Sequence, residues 1–230
     1  MRTLLVLSLF AAALAHSQEQ LAQPVLKVSI DLPASLQIDG KDAGSFSPGT
    51  VHSIAVAPGS HEILAIPTGS AAATPWRKSV SVSSALASPV ITIPLRLHLL
   101  GLDIQKAGYW SDSRTGFAWA GADSGSGVTV SQAHQYCRQL TTGGFHDWRL
   151  PAIGELQTLF SSSSATPDER GFRLVAPLRL TGWSWSATQG TEPAENWTLD
   201  LGDGARASVA AGDAGLNRAL CVRTETPVRN

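Results

Sequence analysis

The sequence carries little charge, no run of basic residues and no apolar stretch long enough to span a bilayer. Charged residues make up 15% of the chain and hydrophobic residues 43%. That balance excludes a disordered chain, and the missing basic patch excludes nucleic acid as a partner. The formal net charge is −1, and losing Arg2 with a cleaved leader would make it one unit more negative. No long-range steering toward polyanions is therefore encoded. The motifs H-E-x-x-H, CxxC and G-x-S-x-G are all missing, so no familiar metal or nucleophile signature is present. Cysteine is nearly absent, with only Cys137 and Cys221.

The first fifteen residues have the form of an export leader. Arg2 gives a positive start, Leu4 to Ala12 an apolar core too short for a membrane span, and Ala13-Leu14-Ala15 a cleavage site. The expected order is a signal peptide over 1–15 and a polar spacer over 16–24. No cysteine follows the leader to carry a lipid, so no membrane span or lipid anchor is expected after cleavage. The mature protein is then periplasmic or extracellular. Two cysteines of one exported chain usually pair, closing here a loop of about 85 residues worth about 4 to 5 kcal/mol in the chain-entropy model. The alternative is two buried free thiols. No His or basic cluster adjoins either in sequence to make a reactive thiolate.

A chain of 230 residues has room for one large domain or two small ones. Its character changes between Leu95 and Gly108, where six of seven tryptophans and both cysteines begin to follow. Before that point the pattern is all-β. Leu26, Val28 and Ile30 alternate with polar residues, as do Leu36 and Ile38 before the turn Asp39-Gly40. Ser53 to Val56, His61 to Ile66 after Pro58-Gly59, Val80 and Val82, and Val90, Ile91, Ile93 and Leu95 read as further strands. Short, evenly spaced strands predict a small sandwich. Ile38-Asp39-Gly40-Lys41, Gly44 and Ala57-Pro58-Gly59-Ser60-His61 with Ile63 resemble the PEGA domain, over residues 25–97. Leu32-Pro33-Ala34-Ser35 replaces that domain's name-giving tetrapeptide, and Pro67 to Pro75 reads as a loop. The resemblance implies a non-catalytic adaptor module. Residues 98–107 read as a linker.

The second half mixes two helices with strands. Thr129 and Gln132 have capping-box spacing, and Val130, Ala133, Cys137 and Leu140 share one helical face up to Gly143-Gly144. A second helix is expected from Pro151, with Glu155 in its first turn, Ile153, Leu156 and Phe160 on its apolar face, and Ser161 to Ser164 as its stop. Trp183, Trp185 and Ala187, then Trp197, Leu199 and Leu201, then Ala205, Ala207 and Val209 read as strands, with Gly202-Asp203-Gly204 as a turn. A last strand over Leu220 to Val222 carries Cys221.

Several pieces in order are similar to the C-terminal domain of the Legionella collagen-like adhesin family. They are Tyr109, Asp112, Thr115-Gly116-Phe117 and Trp119; Ala133, Tyr136-Cys137 and Leu140; Gly143 to Pro151 with its core Asp147-Trp148-Arg149-Leu150-Pro151, followed by Glu155-Leu156; Trp185-Ser186-Ala187-Thr188; and Cys221-Val222-Arg223. The resemblance covers residues 108–223, leaving 224–230 as a tail. It implies a C-type-lectin-like α+β fold with two helices and an antiparallel sheet, and a bond between the helix cysteine and the last-strand cysteine. It also makes Asp147, Trp148, Arg149, Pro151 and Trp185 structural. The adhesin family binds sulfated glycans, but no basic patch carries that ligand class to this chain.

Function is thus expected in loops rather than in a catalytic centre. Ala120 to Val128, Ser161 to Leu180 and Gln189 to Glu195 are the candidate loops. Trp110, Trp183 and Trp197 are candidate ligand-binding residues because exposed indole faces stack on sugars, and Glu192 and Asn196 because they fall where calcium lectins carry their sugar-binding motifs. Calcium is a weak possibility. Glu192-Pro193-Ala194 and Asn196-Trp197-Thr198 miss the calcium-lectin motifs, and Asp200 and Asp203, close in sequence, fall short of the six to eight oxygens calcium takes. Otherwise no cofactor is expected. Formylglycine-generating enzymes share a related fold but need reactive cysteines. The expectation is a non-catalytic binding protein for a glycan, a cell-wall polymer or an envelope protein. The alternatives are a structural part of an envelope assembly and a hydrolase or oxidase using His146 and Asp147.

Overall fold

The structure is a computed structural model and describes residues 24–69, 74–83, 90–162 and 168–225. The leader, most of the spacer, the middle of the Pro67 to Pro75 loop, Ser163 and Ser164, and most of the tail lie outside the described residues.

In the N-terminal half, hydrophobic alternation becomes strands. β1 (Val25–Ile30) and β2 (Ala34–Ile38) bury every second side chain: Leu26, Val28 and Ile30, then Ala34, Leu36 and Ile38. Asp39 and Gly40, with φ of 52° and 75°, make the tight turn into β3 (Lys41–Phe46). β4 (Val51–Ala55), β5 (Gly59–Pro67), β6 (Trp76–Val82) and β7 (Val90–Ile93) follow. The strands form two sheets, ordered β4-β1-β7 and β3-β2-β5-β6, that share one aliphatic core. β1 and β7 run parallel; the other neighbours are antiparallel.

The strand expected to reach Leu95 stops at Ile93, and the stretch read as a linker lies inside helix α1 (Leu95–Ala107). Leu, Gln and Lys favour helix, but the decisive group is remote. Pro94 at the cap position offers no side-chain acceptor. Asp31, in the β1–β2 turn, supplies one: its Oδ1 accepts the Leu95 N–H at 2.7 Å and the Arg96 N–H at 3.3 Å. Leu95 is buried in the N-terminal core and Ile104 in a second, C-terminal core. One helix is thereby anchored at both ends. Gly108, at φ 82°, closes it in a left-handed cap.

The C-terminal half begins with the hairpin β8 (Tyr109–Asp112) and β9 (Phe117–Ala120). Helix α2 (Val130–Gln139) starts on the expected capping box. Thr129 Oγ1 accepts the Gln132 N–H at 3.3 Å, and Gln132 Oε1 accepts the Thr129 N–H at 2.9 Å. α2 ends at Gln139, with Leu140 as its cap, so Gly143-Gly144 are not its stop. They lie in a separate 3-10 turn, Thr142–Gly144, with φ of 68° and 77°. Helix α3 (Ile153–Gln157) begins two residues after Pro151 and ends before the serine run. Phe160, expected on its face, instead bridges to Leu174.

β10 (Trp183–Gln189), β11 (Glu195–Leu199), β12 (Arg206–Ala210), β13 (Asn217–Arg218) and β14 (Val222–Thr224) complete the chain. The single antiparallel sheet expected here is two sheets, β14-β9-β8 and β12-β11-β10-β13, and β13 runs parallel to β10. Cys221 immediately precedes β14 rather than lying in it. The described chain is mostly β, with three α-helices and sheets in both halves.

Candidate functional site

The disulfide sets the frame of the C-terminal half. Cys137, on the buried face of α2, bonds to Cys221, and both are fully buried. The pairing ties α2 to the strand end beside β9, where Ala120 donates its N–H to the Cys221 carbonyl at 2.9 Å.

The segment Phe145 to Pro151 runs across this frame and is absorbed in holding it. Trp148 is buried, and its indole N–H donates to the Thr142 carbonyl at 3.1 Å. The Arg149 backbone exchanges both hydrogen bonds with Val222. Its guanidinium donates to Glu155 at 2.7 and 2.6 Å, and Glu155 also accepts the Ala152 N–H at 2.8 Å. The Arg149 bond, with the Ala152 N–H, holds the Glu155 carboxyl below its ordinary range against the opposing effect of burial. The buried Pro151 accepts the Ala187 N–H. Asp147 accepts from Arg223 Nε at 2.7 Å, and Arg223 lies 3.8 Å over the Phe145 ring. The Arg223 bond lowers the Asp147 pKa, which makes Asp147 a poor proton acceptor. His146 beside it is exposed.

The tryptophans divide. Trp119, Trp148 and Trp185 are core, and the Trp185 indole N–H donates to the Val128 carbonyl at 2.6 Å. Trp110, opposite Trp119 across β8 and β9, packs on that core. Trp183 and Trp197 are half-buried and stand outside it. They alternate to opposite faces of their sheet: Trp183 shares a face with Trp185, which pairs with Thr198, the neighbour of Trp197.

Ala120 to Val128, and in Ser161 to Leu180 the stretch from Phe172 onward, are pinned. In Ala120 to Val128, the buried Asp123 accepts the Gly125 N–H at 2.9 Å, the Thr181 N–H at 2.6 Å and the Thr181 hydroxyl at 3.0 Å. Ser124 exchanges bonds with Ala219, and Val128 donates to the Asn217 carbonyl. Gly127 is required there, because a Cβ would meet the carbonyl oxygens of Ala214 and Gly215. In Ser161 to Leu180, Ala176, Leu178 and Leu180 are buried and Arg173 donates its N–H to the Leu201 carbonyl. The third loop, Gln189 to Glu195, is open: Thr191, Glu192, Pro193 and Ala194 are all exposed.

At the base of this open hairpin lies a compact polar–aromatic surface. Glu195 and Trp197 on β11 share a sheet face with Ser208 and Arg206 on β12, through the pairs Trp197–Ser208 and Leu199–Arg206. The Arg206 guanidinium sits 5.6 Å from the Trp197 ring centroid. The Ser208 hydroxyl donates to Glu195 Oε2, and the Thr191 hydroxyl donates to the same oxygen at 3.0 Å. The Ser208 bond, then the Thr191 bond, keep the Glu195 carboxyl below its ordinary range. Among the described residues the Arg206 guanidinium donates no hydrogen bond, so its N–H fork is open. The surface therefore offers an aromatic ring, an ionised acceptor, two hydroxyls and a planar cation with no hydrogen-bond partner among the described residues.

Of the residues singled out from sequence, only Trp197 belongs to this surface. Asn196 points to the opposite face, where its amide donates to the Ser186 and Thr188 carbonyls at 3.2 and 3.3 Å and fills a bulge in β10. Glu192 lies in the exposed loop, with only its backbone carbonyl engaged. Asp200 and Asp203 close turns, accepting the Gly202 N–H at 2.7 Å and the Ala205 N–H at 2.8 Å. Among the described residues no three His, Cys, Asp or Glu side chains group around a metal-sized site. Thr191 and Glu195 lie in the expected loop Gln189 to Glu195 without having been singled out, and Arg206 and Ser208 were missed. Period-two alternation puts Glu195 with Trp197 and Arg206 with Ser208, but nothing in the sequence gives the register that joins the pairs.

The C-terminal half is thus a disulfide-framed, mostly β unit with an open polar–aromatic hairpin base. Residues 108–223 match the family model of the Lcl C-terminal domain, half of the chain, and the chain belongs to that family. The family, named for an adhesin-like domain of the Legionella collagen-like protein, is not a known enzyme family. No curated protein matches the chain. No described helix is long and apolar enough to cross a membrane.

Proposed function

We propose that this is an exported, non-catalytic binding protein in which a PEGA-like sandwich carries a C-type-lectin-like domain. The ligand it takes is a glycan, free or as part of a cell-wall polymer, at the base of the β10–β11 hairpin. One observation carries the reading: the Trp197 indole, the open Arg206 guanidinium and the hydrogen-bonded Glu195 carboxylate lie together beside the open loop Gln189 to Glu195. A sugar ring presents an apolar face of C–H groups and a rim of hydroxyls. The first suits the indole, and the second suits a fixed acceptor and a planar donor fork. The leader-like start and the disulfide favour an oxidising compartment. The Arg223 clamp on Asp147 weighs against the His146 region as a hydrolase or oxidase centre.

The test is binding of the whole mature protein to a glycan array and to cell-wall fractions, with Trp197→Ala and Glu195→Gln beside the parent. Each variant is expected to weaken retention by about tenfold or more, the scale of one lost stacking or charge-assisted contact. Absence of binding to every glycan and fraction overturns the reading, as does undiminished binding by Trp197→Ala.

A further inference from the structure

A second concavity lies away from the Trp197 surface and shares no residue with it. It is a pocket of about 140 Å³ between the end of α1, the end of β9 and α2. Its floor is kept low by close backbone packing: a Cβ on Gly121 would meet Ile104 Cγ2 at 2.9 Å and the Gly108 carbonyl oxygen at 3.0 Å. Ile104, Ala120 and Leu140 make its apolar wall.

Four polar side chains rim it: Arg179, Tyr136, Thr142 and Gln105. Among the described residues none of the four side chains makes a hydrogen bond or ion pair. Arg179 lies between the buried Leu178 and Leu180 and bridges Ala122 in parallel register. Its side chain therefore leaves the chain away from the core, on the side of Ala122, which also lines the pocket. The nearest buried carboxylate, Asp123, is already held by Gly125 and Thr181. Burial raises the Tyr136 pKa, and the Asp123 charge adds to it, so the phenol stays a donor.

We propose that this pocket binds a small organic carboxylate, with the anion on Arg179 and the Tyr136 and Thr142 hydroxyls and a short alkyl group on the Ile104–Leu140 wall. A planar monoanion matches the guanidinium fork. One cation with a buried carboxylate nearby disfavours a dianion. The volume admits a branched group of a few carbons, and such a group is found both in free short-chain acids and at the terminus of an alanyl peptide.

The full mature chain, labelled with nitrogen-15, is titrated with isobutyrate, with its neutral isostere isobutyramide and with N-acetyl-alanyl-alanine, reading the amide shifts of Gly108, Gly121 and Ala122. Isobutyrate is expected to give saturable shifts at these amides, with isobutyramide about tenfold weaker or worse. Tighter binding of the peptide marks a chain terminus as the source, and tighter isobutyrate a free acid; either supports the site. Arg179 is exposed, so Arg179→Gln keeps the fold and is expected to abolish the preference for acid over amide. Equal binding of acid and amide, a preference that survives Arg179→Gln, or no saturable shift with either acid overturns the proposal. None of these outcomes bears on the Trp197 surface.

Discussion

The two halves are stabilised differently. The N-terminal half has an aliphatic core between two sheets, with neither a tryptophan nor a cysteine in it. Ladder hydrogen bonds and strict alternation satisfy its backbone and bury its apolar groups together. The C-terminal half has short strands and long connections. Its core holds three tryptophans and a disulfide, and its connections are held by single polar groups: Asp123, Thr129, Trp148, Trp185 and Asn196. Where regular ladders are few, specific side-chain bonds must satisfy the backbone instead. Stability in the second half therefore concentrates in few residues, and in the first it is spread thin.

Breaking the disulfide should separate the halves most. Replacing Cys137 and Cys221 together by serine is expected to cost the C-terminal half about 4 to 5 kcal/mol, the entropy of a loop with 84 residues of separation. Tryptophan emission, with six of the seven tryptophans in that half, should report an earlier transition, while exchange of the β1 and β2 amides stays slow. Equal loss in both halves would erase the contrast. Asp31→Ala tests what joins them. Removing the remote cap of α1 should cost about 1 to 2 kcal/mol and speed amide exchange at Leu95 and Arg96. Unchanged exchange there would mean that Asp31 does not hold the helix. Glu155→Gln weakens both the Arg149 pair and the α3 cap; because Arg149 is half-exposed the expected loss is only about 1 kcal/mol, read by urea denaturation of the C-terminal half.

The smallest effect belongs to the N-terminal half and depends on pH. His61 donates through Nδ1 to Asp39 at 2.7 Å, and its Nε2 faces the Ala57 carbonyl at 2.7 Å. Two acceptors favour the imidazolium, so the Asp39 bond, then the Ala57 bond, raise the His61 pKa above 6.5. The His61 bond is the largest cause lowering Asp39 below 3.8. The His61 contribution is full below pH 6.5 and fades as pH rises through its raised value. The Asp39 contribution is full above pH 3.8 and fades as pH falls through its lowered value. The N-terminal half should therefore be most stable between those limits, and His61→Asn should flatten the loss on the alkaline side. An equal alkaline slope in that variant would assign the loss to other groups.

Legibility followed the same divide. Each buried position of β1, and Leu36 and Ile38 in β2, could be read from alternation, as could the Asp39-Gly40 turn, because in a half-buried strand the side-chain period is itself the contact pattern; Ala34, which β2 also buries, was not. The Thr129–Gln132 box was equally readable, since its donors and acceptors lie three residues apart. Helix α1 was not, because its cap comes from Asp31. The end of α2 was misplaced because Gly143-Gly144, a strong stop signal, serves a separate turn. Asn196 looked like a ligand residue because its neighbour is a tryptophan, yet a bulge in β10 occupies its amide.

The sequence alone determined six of the seven strands described in the first half, the helix that carries Cys137, and the family of residues 108–223. Those depend on local periodicity, on caps within one turn and on an ordered set of motifs. Only the tertiary structure decided that α1 is anchored in both cores, and that Trp197 stands with Arg206 and Glu195 while Trp110 packs inward. Each of these depends on strand register or on a partner tens of residues away, and neither is written in the spacing of nearby residues.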